Sequence, residues 1–253
     1  MRHMLLLVVL LSLAARHCCF RRVKATNWSL SRHDWCMKSS DDDPILRRCV
    51  VTIGAVSAPI GTLLDSTCHG MLDVLSYNKI SVPMYIPYFL KTCIYTPVLF
   101  AVAGALMSYI ILVLDSKLNT RGHARVPITN TVITGVVLFA LHYYFSGLLD
   151  HFHANTYYSN AILSIAACAV FLLTDRSYAG LILAFTTAIG GTLVELFLVN
   201  QVKLYQYTNA DFYGVDSWIY AVYFCGGPAI GNLARIMYNR LNSPKSDMKR
   251  TVE

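Results

Sequence analysis

Long apolar runs alternate with short polar segments along most of the chain, and their lengths predict membrane-spanning helices. Six runs approach the roughly 20 residues that a helix needs to cross the hydrocarbon core. They lie at about Cys49–Leu64, Cys93–Leu114, Val126–Leu149, Tyr157–Leu173, Tyr178–Asn200 and Ser217–Tyr238. A further piece, Ile80–Leu90, contains two prolines and is too short to cross, so we expect a loop or an interfacial segment there.

The last apolar run is interrupted in its centre by Gly226, Gly227, Pro228 and Gly231. Proline removes a backbone donor and glycine weakens a helix, so a membrane helix keeps such a cluster where neighbouring helices approach closely. The spacing of Gly227 and Gly231 therefore predicts helix packing within the bundle. Arg235, near the end of the same run, is expected to anchor that helix at the membrane surface.

Composition agrees with a membrane protein. Hydrophobic residues make up 55% of the chain and charged residues only 14%, against about a quarter in soluble domains. The mean hydropathy is +0.48. The net charge of +7 comes mainly from the tails and one loop, which indicates orientation in the membrane and argues against a nucleic-acid partner. The expected fold class is all-α, a polytopic bundle of six transmembrane helices.

Basic residues predict that both termini are cytosolic. The loop after the second run contains Lys117, Arg121 and Arg125, and the C-terminal tail is also basic, whereas the remaining connections carry fewer basic residues. We therefore divide the chain into a basic, loosely structured cytosolic tail (1–48), a transmembrane domain (49–238) and a cytosolic C-terminal tail (239–253). The apolar segment 5–15 is either part of the first tail or the core of a signal peptide.

Few residues carry recognisable chemistry. No catalytic motif is present, and His151 and His153 lack the further ligands that a metal site needs, so we expect no catalytic and no metal-binding residue. Asp175 lies in a very short turn between two apolar runs, where it either caps the next helix or contacts a partner at the membrane edge. Glu195 lies inside an apolar run, where it either reaches the interface, stays protonated or serves a function.

From Ile94 to Arg235 the chain resembles the Insig family of sterol-responsive membrane proteins. Each landmark is weak alone, and their order and separations over about 140 residues make the set specific. The landmarks are Leu114-Asp115-Ser116, Leu149-Asp150, Asp175-Arg176-Ser177, Phe197-Leu198-Val199, Gln206-Tyr207-Thr208, Asp211-Phe212, Ser217-Trp218, Gly226-Gly227, Gly231-Asn232 and Arg235.

The resemblance implies a regulatory binding protein of the endoplasmic reticulum membrane and not an enzyme. It implies no cofactor, but an oxysterol ligand among the middle helices, contacted by Phe139, Tyr158 and Phe171. It also implies that Asp175 engages partners with sterol-sensing domains, namely a Scap-type escort protein and HMG-CoA reductase, with a ubiquitin ligase as a further partner. The first partner would be retained and the second delivered for degradation.

Two departures from the family pattern keep alternatives open. Phe171-Leu172-Leu173 stands where the family has a tryptophan pair, and Ile219-Tyr220-Ala221 stands where it has Pro-Cys. One alternative is therefore a scaffold that kept the fold and lost sterol binding. Another is a small transporter that uses Glu195, His142 and Asp175 as a proton relay. Which sterol and which partner bind is left open by the sequence.

Overall fold

Six α-helices and four short strands make up the described part of the chain. The computed structural model describes residues 43–78, 82–87, 90–118 and 127–242. The helices are α1 (Pro44–Asp65), α2 (Thr96–Leu118), α3 (Thr129–His151), α4 (Thr156–Thr174), α5 (Tyr178–Phe197) and α6 (Ile219–Asn242). The strands are β1 (Leu75–Tyr77), β2 (Pro83–Ile86), β3 (Leu90–Cys93) and β4 (Tyr205–Tyr207). The predicted tails lie almost wholly outside the described residues.

Local sequence signals explain where several helices begin. Asp43 accepts a hydrogen bond from the Ile45 amide at 2.8 Å, and the following proline occupies the first helical position of α1. Asn155 caps α4 and Ser177 caps α5 in the same way, with side-chain oxygens that accept backbone N–H donors at 3.0 and 2.9 Å. Helix α1 therefore begins five residues before the predicted Cys49.

Five of the six helices in the described residues are long and apolar enough to cross a membrane. They are α1 to α5, where α1 and α5 each continue into a single π-helical turn, Ser66–Gly70 and Leu198–Val202. Each predicted run coincides with one of the six helices to within a few residues. Helix α6 falls outside the apolar group because glycine, proline, asparagine and arginine lower its hydropathy.

Helix α6 is the central helix of the bundle. It contacts all five other helices, and 14 of its 24 residues are buried. The helix continues unbroken through Pro228. One turn earlier, the Tyr223 carbonyl accepts a hydrogen bond from the Thr187 hydroxyl of α5 at 3.0 Å, which gives the backbone near the proline an extra donor. Because its surface meets protein on all sides, α6 does not need an apolar sequence.

The two ends of the bundle differ in structure. The Tyr238 hydroxyl of α6 donates to Asp43 at 2.7 Å, so α1 begins where α6 ends. At the opposite end, β1 pairs antiparallel with β4, and β2 pairs antiparallel with β3. The segment Ile80–Leu90, predicted not to cross the membrane, contains β2 and the first residue of β3.

Candidate functional site

Arg235 lies at the centre of a buried cluster of polar side chains at the end of the bundle where α6 ends. Its guanidinium donates to both carboxylate oxygens of Asp115 on α2, at 2.7 and 2.9 Å. It also donates to Asp175 at 3.0 Å and to the Ser177 hydroxyl at 3.0 Å. The side chains of Arg235, Asp115 and Asp175 are 9%, 5% and 1% exposed. We call Arg235, Asp115, Asp175, Ser177 and Asn232 the arginine cluster.

The arginine cluster fixes the turn between α4 and α5. Asn232 accepts from Arg235 at 2.8 Å and donates to the Thr174 carbonyl at 3.1 Å. Asp175 accepts from the backbone amide of Ser177 at 3.1 Å and from its hydroxyl. The two carboxylates share one guanidinium. Asp115 binds it through both of its oxygens, and Asp175 also accepts hydrogen bonds from Ser177. The turn is therefore tied to both α2 and α6.

Two expectations about this region change. The expectation that Arg235 anchors α6 at the membrane surface is wrong, because burial against two carboxylates is what holds its charge in place. The alternative that Asp175 caps α5 is wrong, because Ser177 is the N-cap of that helix. Asp175 instead accepts a hydrogen bond from the Ser177 amide and forms an ion pair with Arg235. Arg176 has a positive φ of 62° and donates to the Leu172 carbonyl, which leaves it as the exposed charge of the turn.

Two of the three predicted sterol contacts pack against α6. The ring of Phe139 on α3 meets that of Tyr143 edge to face, and a Cβ added at Gly226 would lie 3.0 Å from it. Phe171 on α4 is 8% exposed and its ring centroid lies 6.1 Å from that of Phe224. Both rings therefore fill the space between α6 and its neighbours.

Tyr158 lies apart from this pair. It is 71% exposed and precedes Phe171 by thirteen residues on α4, which is about 20 Å along the helix axis. Counted from the turn between the antiparallel helices α3 and α4, Phe139 and Phe171 lie at similar depths, about 18 and 22 Å. The structure thus brings Phe139 and Phe171 to one level and leaves Tyr158 near the far end of α4.

Gly227 and Gly231 both lie in contacts between helices of this bundle. A Cβ added at Gly227 would lie 2.6 Å from the Thr187 hydroxyl oxygen and 3.4 Å from the Ala184 Cα, both on α5. One added at Gly231 would lie 3.0 Å from Leu183 on α5 and 3.3 Å from Ile111 on α2. The two glycines let α5 and α2 approach the central helix.

Glu195 is an internal hydrogen-bond acceptor. It is 8% exposed and accepts hydroxyl donors from Tyr205 at 2.6 Å, Tyr207 at 3.2 Å and Tyr223. Burial and the nearby Glu195 carboxylate raise the pKa of both Tyr205 and Tyr207 well above the usual range, so both keep the protons that they donate. Because Glu195 is buried among these hydroxyl groups, the alternative that it reaches the interface is wrong.

Asp65 occupies a similar position at the end of α1. It accepts from the Tyr77 hydroxyl of β1 at 3.1 Å and from that of Tyr143 at 2.8 Å. Its neighbour His69 contacts the Ser146 hydroxyl at 3.2 Å. Asp65 thus holds a tyrosine of β1 against the end of α1, and Glu195 holds tyrosines of β4 against the end of α5. The pairing of β1 with β4 joins these two helix ends.

Two groups of the hypothetical proton relay, Asp175 and Glu195, are far apart. Asp175 and Glu195 are separated by twenty residues, about 30 Å along α5, and each is occupied by the partners described above. His142 is buried on a different helix, α3, and its Nε2 atom has no hydrogen-bond partner within the part of the chain that the structure describes. Among the described residues, no group of three or more His, Cys, Asp or Glu side chains forms a metal site.

The sequence did not reveal the hydrogen-bond and ion-pair partners of Asp175 and Glu195. Asp115 and Arg235 were each part of a landmark, but nothing in the pattern indicated that they pair with each other. A usable signal exists, because alternating helix directions bring the end of α2, the α4–α5 turn and the end of α6 to one end of the bundle. A charged residue inside an apolar run is expected to pair with another such residue.

Sequence comparison finds relatives over part of the chain. Over 92 residues it is 37% identical to the insulin-induced gene 1 proteins of Xenopus tropicalis, Mus musculus and Homo sapiens. The matched region is 34% of this chain and 36%, 35% and 33% of the respective relatives. The chain thus spans about a third of the length of these relatives. No family model matches it.

Structural comparison extends the likeness to most of the chain. The fold is similar to that of MvINS, an Insig homologue from Mycobacterium vanbaalenii, with a TM-score of 0.63 at 18% identity. The match covers 78% of this chain and 97% of the other. A cross-linked trimer of MvINS gives the same values. Partial sequence identity and a shared fold lead to one conclusion: this chain is an Insig-like multi-pass membrane protein.

Proposed function

We propose that this protein binds an oxysterol in the membrane of the endoplasmic reticulum and, when loaded, retains partners that contain a sterol-sensing domain. The partners are a Scap-type escort protein and HMG-CoA reductase, with a ubiquitin ligase recruited for the second. Both termini face the cytosol in this proposal. The protein performs no chemistry of its own and acts by holding another helix bundle.

The observation that carries the proposal is the arginine cluster. It fixes the turn formed by Asp175, Arg176 and Ser177, one of the landmarks shared with the Insig family, to the central helix α6. A rigid turn at a bundle end presents a constant surface to a partner, with Arg176 as its exposed charge. Asp175 then serves partner binding from inside, by holding that turn in place.

The sterol site of this proposal lies between α3, α4 and α6. Rigid apolar ligands favour aromatic-lined clefts with few polar groups. Phe139 and Phe171 lie at similar depths in the bundle. Phe139 packs beside Gly226 of α6, and Phe171 packs against Phe224 of the same helix. A ligand that displaces either ring would shift α6, and the arginine cluster would transmit that shift to the α4–α5 turn. The sterol hydroxyl would meet Tyr158, toward the far end of α4.

A capture assay with a purified sterol-sensing domain tests the function. We expect the wild-type chain to retain the domain only when an oxysterol is added. Asp175→Ala is expected to reduce capture at least tenfold, because the turn loses its ion pair with α6. Capture that does not change when sterol is added or removed would contradict the proposal.

Asp115→Ala is the matched control for the role of Asp175. It removes the other carboxylate of the arginine cluster without altering the α4–α5 turn sequence. Equal loss in both variants would show that Asp175 acts by positioning the turn, whereas loss in Asp175→Ala alone would show direct contact with the partner. Full capture by both folded variants would contradict any role for the cluster.

A further inference from the structure

A second group of acidic side chains surrounds a cavity of about 170 Å³ at the other end of the bundle. The end of α3, the turn that follows it and the segment before α6 form its walls. Its lining includes Asp150, His153, Asn209, Asp211, Asp216 and Trp218. This cavity takes no part in the proposed capture of sterol-sensing domains.

Asp216 is the unusual member of this group. It is 1% exposed, and its Oδ2 atom has no hydrogen-bond partner among the described residues. The other two acids are occupied: Asp211 accepts from the Ser217 amide at 2.6 Å and its hydroxyl at 2.7 Å, and Asp150 accepts from Asn209 at 3.1 Å. A buried carboxylate oxygen without a donor is costly, so its position at a cavity wall points to an occupant that donates.

The charge and size of the cavity restrict that occupant. Three carboxylates and one imidazole at the walls favour a cation, and Trp218, which is 3% exposed, adds an aromatic surface suited to one. A volume of about 170 Å³ holds roughly six water-sized groups, at about 30 Å³ each. The described residues form no group of three His, Cys, Asp or Glu ligands around one point, which disfavours a directly coordinated metal ion.

We propose that this cavity binds a primary ammonium group, with the Asp216 Oδ2 atom as its main acceptor. An ammonium supplies three N–H donors, so it can satisfy Asp216 and still contact Asp150. A short organic stem fits the remaining volume beside Trp218. Either a free small amine or the head group of an aminophospholipid provides this chemistry, and the cavity lies at helix ends, where head groups are found.

Binding should depend on pH. Burial, followed by the charges of Asp150 and Asp211, raises the pKa of Asp216 to about 8. The empty protein therefore holds a proton on Asp216 at neutral pH, and the ammonium favours the ionised form, so binding releases that proton. Affinity consequently rises with pH from 6.5 to 8.5. His153 also lies at the cavity wall, and His153→Gln separates its contribution.

Calorimetric titration of the detergent-purified chain with ethanolamine tests the proposal. We expect saturable binding that is at least fivefold tighter at pH 8.5 than at pH 6.5. Asp216→Asn should weaken it at least tenfold, whereas Asp73→Asn, which removes an exposed carboxylate outside the cavity, should leave it unchanged. Tetramethylammonium carries the same charge without N–H donors and should not compete.

Nanodiscs distinguish the two sources of the ammonium group. If phosphatidylethanolamine nanodiscs block ethanolamine binding and phosphatidylcholine nanodiscs do not, the ligand is a lipid head group; if neither blocks it, the ligand is a free amine. Absence of saturable ethanolamine binding, equal binding of tetramethylammonium, or preferential binding of Ca²⁺ would overturn the proposal. Should Asp216→Asn not fold, the wild-type pH dependence and the tetramethylammonium comparison decide.

Discussion

At the scale of single residues, buried charges are the features that most constrain this protein. Arg235 is surrounded by two carboxylates, an amide and a hydroxyl, so its charge is both neutralised and fully hydrogen-bonded. Such a cluster adds little net stability compared with apolar packing, but losing one member leaves the others buried and unpaired. Its value lies in fixing one arrangement of α2, α6 and the α4–α5 turn.

We predict that Arg235→Ala lowers the free energy of unfolding by about 3–5 kcal/mol, because two buried carboxylates lose their counter-ion. Arg240→Ala is the matched control, since Arg240 is an exposed arginine on the same helix. Thermal unfolding in detergent at low and high salt measures both. Similar losses in the two variants, or a loss in Arg235→Ala that disappears at high salt, would contradict the burial of this cluster.

Asp216 predicts a pH-dependent stability in the ligand-free protein. Its pKa is about 8 in the folded chain, against an ordinary value of 3.8, so between these values the folded state holds a proton that the unfolded state has lost. Stability therefore falls with rising pH, by up to about 1.4 kcal/mol per unit, and the fall ends above pH 8.

Asp216→Asn removes this dependence. The variant should gain stability over the wild type, and the gain should increase from pH 5 to pH 8, as measured by thermal midpoints across that range. Asp73→Asn, at an exposed position, should follow the wild type. If wild type and Asp216→Asn give parallel profiles, Asp216 does not hold its proton in the folded state.

At the scale of helices, small residues decide where α5 and α6 meet. Gly190 and Gly191 are neighbours on α5 and face different surroundings. A Cβ added at Gly191 would lie 2.5 Å from the Tyr223 ring of α6, whereas one added at Gly190 would meet nothing within 4 Å. The same residue type therefore serves close packing at one position and leaves open space at the next.

We predict opposite effects for alanine at these two positions. Gly191→Ala should destabilise the protein by about 1–3 kcal/mol, because the half-buried Tyr223 ring must move. Gly190→Ala should be neutral or stabilise it by up to about 1 kcal/mol, since alanine favours a helix more than glycine does. Thermal midpoints of the two variants check this; a larger loss for Gly190→Ala would contradict the close packing of Gly191 against Tyr223.

The apolar pattern predicted the helices well but not the role of each one. Run lengths located all six, because a membrane requires long uninterrupted apolar segments. The same criterion missed that α6 is central, since a helix surrounded by protein keeps glycine, proline and arginine. It also missed β1 and β4, which are only three residues long and pair across 130 positions of sequence.

The candidate site was predictable only in part. Asp175 stood out because a charge in a minimal turn between two apolar runs is conspicuous. Its partner Arg235 was assigned to the membrane surface, because a sequence does not state which side of a helix is covered. Likewise, Glu195 was recognised as exceptional, but its three tyrosine donors come from β4 and α6, and only the fold brings them together.

At the scale of the whole molecule, the described bundle consists of five apolar helices arranged around a sixth that carries Asn232 and Arg235 of the arginine cluster. One end contains the arginine cluster and the other contains two buried acids held by tyrosines. Phe139 and Phe171 contact α6 between these ends. Because α6 contacts every other helix, a ligand that moves it can alter both ends, which is the basis of sterol-dependent partner binding in our proposal.

Binding of a radiolabelled oxysterol to the detergent-purified chain tests this account most directly. We expect saturable binding that falls at least tenfold in Phe139→Ala, since that ring lies at the proposed sterol site. Phe212→Ala, at an exposed aromatic residue in the segment between β4 and α6, should bind as the wild type does. A chain that folds but binds no oxysterol, or that binds equally well in all three forms, would contradict the account and favour an Insig-like scaffold without sterol binding.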